Sequence, residues 1–199
     1  MPMERQSKVA LIGLGIVVLL ASLWWGYRQW QHQKLAIALH DPDPVVRMAA
    51  VRSAGKAGQV GPLLEGLSDE NPDIRLVAAQ LLGYSESKTK EAIQALLAIL
   101  KDDHAGVRRE GAEALYRMLP EAAPALYNAL EDNNPRVRSG AALAFDNPVS
   151  DKMPRPRVPG ERETIIPLLT KLLEDKDEEV RHNANETLEQ LNRERTGVR

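Results

Sequence analysis

The sequence predicts an all-α protein: an α-solenoid of about five helical hairpins, preceded by one transmembrane helix. Three observations carry that expectation. The same residue types recur around five arginines, the mark of a repeat architecture. An uncharged run occupies residues 9–27. The 199 residues include no cysteine, which excludes disulfide frameworks, thiolate metal sites and cysteine nucleophiles. With 26 Lys+Arg against 28 Asp+Glu, the net charge of -2 also argues against gripping nucleic acid by charge.

The first element is a short tail, residues 1–8. Residues 9–27, VALIGLGIVVLLASLWWGY, would span about 28 Å as a helix, close to the hydrocarbon thickness of a bilayer. Arg5 and Lys8 precede the run, Arg28 and Lys34 follow it, and Trp24, Trp25, Tyr27 and Trp30 crowd its far end, where amphipathic rings favour an interface. The expectation is a signal anchor in a single-pass membrane protein with the solenoid on the extracytoplasmic side. A cleaved signal peptide shares the basic start and apolar centre. Leu19, placed where cleavage at Ala21 needs a small residue, and the bulky Trp24-Trp25 pair favour the anchor.

The repeat follows. Arg47, Arg75, Arg108, Arg138 and Arg181 are separated by 28, 33, 30 and 43 residues. Six residues before each stands Asp41, Asp69, Asp102, Asp132 or Asp175, and one before stands Val46, Ile74, Val107, Val137 or Val180. Leucine lies eight and twelve before every one, and Ala50, Ala78, Gly111, Ala141 or Ala184 three after. Leucines four apart make one helical stripe, and the Val/Ile, small residue and Ala54, Leu82, Leu115, Phe145 or Leu188 make a second. Between the stripes, Asp43-Pro44, Asn71-Pro72 and Asn134-Pro135 supply a cap and a proline at the first helical position. Asp177 can cap the fifth unit, and His104 is the weaker candidate in the third. The units fall near 30–57, 59–87, 90–119, 121–146 and 163–195, within a domain of 28–195.

Each aspartate ends a first helix and each arginine begins a second, so each charge opposes its own helix dipole. Recurrence of two unfavourable placements predicts that they compensate one another. The ten residues are expected to form a structural ladder of charge-assisted, partly bidentate bonds within and between units.

Centres such as DPDPVVRMAAVRSAG and DENPDIRLVAAQLLG resemble HEAT repeats of the short bacterial, phycobilisome-lyase-like variety, over roughly residues 30–195. The resemblance implies a right-handed solenoid whose second helices line a concave face. Unit three departs by Ala105 in place of the proline; unit five departs by Glu178 and by Asn185 in the stripe.

The long fourth separation comes from residues 147–162, NPVSDKMPRPRVPGER. Four prolines make this an extended loop, and Lys152, Arg155, Arg157 and Arg162 make it basic. It reads either as a tolerated insertion or as a contact for an acidic partner or anionic headgroups. The last helix, with Asn183, Asn185, Glu186, Glu189 and Gln190, is polar enough to cap the stack, and the trailing NRERTGVR, ending in the tail 196–199, is expected to fray.

Catalytic constellations are missing. His32, His40, His104 and His182 sit at unrelated offsets, none followed by glutamate, and no HExxH, phosphate loop or nucleophile elbow occurs. The expectation is therefore non-enzymatic, with no cofactor. Concave positions one and five after each arginine give a candidate partner-binding groove of Met48, Arg52, Leu76, Gln80, Arg109, Glu113 and Leu143, without an aromatic for bases to stack on. The function expected is a membrane-anchored protein–protein interaction scaffold. The alternative, drawn from the repeat subfamily, is a small-molecule or tetrapyrrole chromophore-handling protein.

Overall fold

The computed structural model describes residues 3–146 and 160–196, with side-chain surroundings from residue 16 onward except at 31, 32, 161 and 194–196. Every regular element among these residues is helical. The order is α1 (Met3–Leu39), α2 (Pro44–Lys56), α3 (Val60–Gly66), α4 (Pro72–Gly83), α5 (Lys90–Ile99), α6 (Ala105–Arg117), α7 (Ala123–Ala129), α8 (Pro135–Leu143), α9 (Glu161–Leu172) and α10 (Glu178–Thr196). The end of α1 pairs with α2, α3 with α4, α5 with α6, α7 with α8 and α9 with α10, and successive second helices pack side by side, α2 on α4, α4 on α6, α6 on α8 and α8 on α10.

The local chemistry explains the breaks between paired helices. Asp43, Asn71 and Asn134 accept from the amides of Val45, Asp73 and Arg136, each ahead of a helix that opens on proline. Asp177 accepts from Glu179 and Val180, whereas His104 caps nothing with its side chain. Both stripes then fold inward. Leu63, Leu96, Leu126 and Leu169 are buried from the first helices; Ile74, Val107, Val137 and Val180 are buried from the second, in one continuous core. The hydrophobic effect thus acts between hairpins as much as within them.

The expected transmembrane helix, and the single-pass localisation and membrane contact that rested on it, do not stand. Among the described residues no helix is long and apolar enough to cross a membrane. Part of the uncharged run, residues 9–15, has side chains outside the described residues. Arg28 and Lys34 then interrupt the same helix, their charges lying over the Trp24 and Trp30 rings at 5.3 and 4.1 Å.

Two boundaries also differ from expectation. Residues 3–8, expected as a tail, belong to α1, and α10 continues to Thr196 instead of fraying from residue 192. The Arg193–Glu189 pair one turn apart, at 3.0 Å, supports that last turn. Of the basic loop, Lys152, Arg155 and Arg157 lie outside the described residues, while Arg162 is half-buried in the opening turn of α9.

Candidate functional site

The interhelix turns line up along one edge of the stack. In each, the aspartate Oδ1 accepts from the amide two residues on, of Asp43, Asn71, His104, Asn134 or Asp177, at 2.8–3.0 Å. The backbone carbonyl of the same aspartate accepts from Nη1 of the arginine six residues on, at 2.7–2.9 Å, and so does the next carbonyl, at 3.0–3.2 Å. Each guanidinium therefore reaches back over the carbonyls that end the preceding helix, where a cation is favourable.

Between hairpins the other edge of the guanidinium is used. Arg47 donates from Nε and Nη2 to both carboxylate oxygens of Asp69, at 2.8 and 3.0 Å. Arg75 holds Asp102 the same way, at 2.7 and 2.9 Å, and Arg138 holds Asp175, at 2.8 Å for both. Burial pushes Asp69 and Asp102 up, but the guanidinium bonds, the turn amides and nearby positive charge outweigh it, leaving both carboxyls below the ordinary range. Asp175 is lowered chiefly by Arg138. The junction between the third and fourth hairpins is different. Among the described residues Arg108 bonds only the carbonyls of Asp102 and Asp103, and the Asp132 carboxylate accepts only from the Asn134 amide. There the crossing bond is Arg136 Nη1 to Asp103, at 2.9 Å, with the carboxylate 98% exposed.

The second helices carry the candidate groove. Met48, Leu76 and Leu143 are half-buried and pack against the core, Gln80 is half-buried, and Arg52 is exposed. Arg109 is exposed and donates from Nε to Glu113 at 3.2 Å. Nearby residues that the sequence reading passed over complete a charged cluster. Arg117, 8% exposed, bonds Glu110 and Glu113, each at 3.2 Å, and its guanidinium lies 4.5 Å from the centre of the Tyr84 ring. Burial, then the neighbouring Glu113 charge, raises the Glu110 carboxyl above its ordinary value. Tyr84 stands nine residues after Arg75 and Arg117 nine after Arg108, a register that was open to inspection. Tyr84 is 59% exposed and gives this stretch the aromatic missing from the groove positions considered.

Among the described residues no group of His, Asp and Glu is placed to hold a metal ion. The comparisons with known proteins are consistent with a helical repeat. Residues 60–146 match the family model described as HEAT repeats, and residues 165–193 match the model described as HEAT repeat. No curated protein matches the chain. Among solved structures, a designed armadillo repeat protein in complex with peptide (KR)4 is 20% identical, over 78% of this chain and 79% of that one, with a TM-score of 0.45. Computationally designed armadillo repeat proteins for modular peptide recognition are 21% identical over 78% and 79%, with a TM-score of 0.42.

Proposed function

Since the chain is a HEAT repeat protein, we propose that it is a non-catalytic interaction scaffold that holds a protein segment along its second helices. The observation that carries this reading is the α4–α6 stretch. An exposed Tyr84 ring is braced from beneath by Arg117, which Glu110 and Glu113 hold in turn. A ring presented this way offers rigid contact area at little conformational cost, the property that concentrates binding energy at interfaces. Leu76 and Met48 continue an apolar strip towards the start of the stack, and Arg109 and Arg52 supply exposed charge beside it. The turn-edge Asp/Arg bonds belong to the frame that spaces the helices.

The test compares affinity purification of the tagged wild-type chain with Tyr84→Ala and with Arg52→Glu/Arg109→Glu. A discrete protein partner that is lost from both variants, while their melting temperatures hold, is the expected result. A partner kept by both would move the contact away from this face.

A further inference from the structure

Besides the groove, the first hairpin carries a face whose finish differs from everything downstream. Internal second helices receive their predecessors through fixed positions. The residue before the reference arginine is buried at Ile74, Val107, Val137 and Val180, but Val46 is 36% exposed. Two residues after the arginine, Asn183 bonds the Ser139 hydroxyl at 2.8 Å. Six after it, Leu81 lies where a side chain on Gly55 would be, Ala114 likewise at Gly83, and Thr187 donates to the Ala142 carbonyl. The corresponding residues of α2 are Ala49 and Ser53, both exposed, next to Val45 at 72% and Ile37 at 66%. Of the large apolar residues exposed from 31 onward among those described, these three, Ile37, Val45 and Val46, gather at one end, while Tyr84 and Leu173 lie elsewhere.

The turn chemistry at that end is unfinished in the same sense. Asp69, Asp102 and Asp175 each receive the guanidinium of the preceding hairpin and Asp132 does not; among the described residues the Asp41 carboxylate accepts only from the Asp43 amide, with no hairpin packed before it to supply an arginine. The opposite end of the stack is finished: His182, Asn185 and Glu189 of α10, at the positions that face a following hairpin, are polar and exposed.

We propose that the upstream face of α2 is a docking surface for a helix of another protein, one carrying an aliphatic and small-residue row with an arginine that completes the Asp41 rung. Apolar contact along Val46 and Ala49 supplies the affinity, and the bidentate guanidinium sets the register. The charge left on Asp41 selects an arginine-bearing occupant. A second copy placed head to tail would offer Arg181, but would bury Asn185 and the Glu189 carboxylate with its Arg193 partner against Val46, at a desolvation cost that apolar contact does not offset. This surface is independent of the groove.

The experiment places a photo-crosslinking amino acid at Val45 or Ala49 of the full chain, and at Asn185 or Glu189 as the comparison, in the cells that make the protein. Crosslinked peptides are then sequenced by mass spectrometry. Expected are one discrete adduct from positions 45 and 49, none from 185 and 189, and a partner peptide with aliphatic residues at helical spacing plus an arginine. Asp41→Asn keeps the turn acceptor and removes the charge; it should lower adduct yield about tenfold with unchanged melting, while Tyr84→Ala leaves it intact. An adduct of two copies of this chain, a partner peptide without arginine, indifference to Asp41→Asn, or no discrete adduct at 45 and 49 would each overturn the proposal.

Discussion

The junction between the second and third hairpins and that between the third and fourth are built from the same repeated residues, yet they close differently. At the first, Arg75 grips both oxygens of Asp102, and the backbones of α4 and α6 approach so closely that a side-chain carbon on Gly83 would stand 2.8 Å from the Ala114 Cα. At the second, Arg108 leaves the Asp132 carboxylate alone, the exposed Arg136–Asp103 pair spans the gap, and the atoms nearest a side-chain carbon on Gly140 belong to the Leu100 side chain, not to backbone. A recurring residue pair records a possibility of bonding. Whether the bond forms depends on helix-to-helix spacing, because a bidentate guanidinium needs its carboxylate within about 3 Å and in plane.

The sharpest way to break the contrast is through the glycines. Gly83→Ala meets backbone that cannot yield and should cost about 3 kcal/mol, read from the urea midpoint at constant slope. Gly140→Ala meets the side chain of the fully buried Leu100, which must shift within the core, but no backbone, and it gains helix propensity, so its cost should be smaller, about 1 kcal/mol. Equal costs would erase the distinction between the junctions.

Next come the aspartates. Asp102→Ala removes a turn acceptor and strands the largely buried Arg75, an expected loss of about 2–3 kcal/mol. Asp132→Ala removes the turn acceptor alone, an expected loss of about 1 kcal/mol.

Acid should sharpen the same comparison. Carboxyls held low in the fold stabilise it above their ordinary value of 3.8, and that contribution disappears as pH falls through the lower folded values of Asp69, Asp102 and Asp175. Glu110 runs the other way. Its raised folded value means the folded state binds more protons just above 4.5, so its effect on stability worsens as pH rises through that window. Stability profiles below pH 4 should flatten in Asp102→Asn, and Glu110→Gln should remove the opposing slope above 4.5.

The smallest effect belongs to the open junction's own ion pair. Asp103→Ala should change stability by less than about 0.5 kcal/mol, since both partners are solvated.

Much of the solenoid was legible. Leucines four apart, the Val/Ile-Arg step and the Asn-Pro and Asp-Pro caps are periodic or local signals, and helix geometry converts them directly into faces and breaks. The membrane-spanning expectation rested on hydropathy along the run 9–27; among the described residues no helix is long and apolar enough to cross a membrane, and charged Arg28 and Lys34 follow the run within the same helix. The cluster of Tyr84, Glu110 and Arg117 was passed over for a different reason. Its members come from two hairpins, and their meeting depends on how α4 and α6 pack.

The sequence by itself determined the helical hairpins, their number, their caps and the row of residues that each buries, because a 3.6-residue turn fixes which neighbours along the chain share a face. Only the tertiary structure decided which arginine reaches which aspartate, that Tyr84 is braced while Asp132 is left open, and that the upstream face of α2 stays uncovered. Those outcomes depend on how neighbouring hairpins sit against each other, and the close packing of the whole stack sets that.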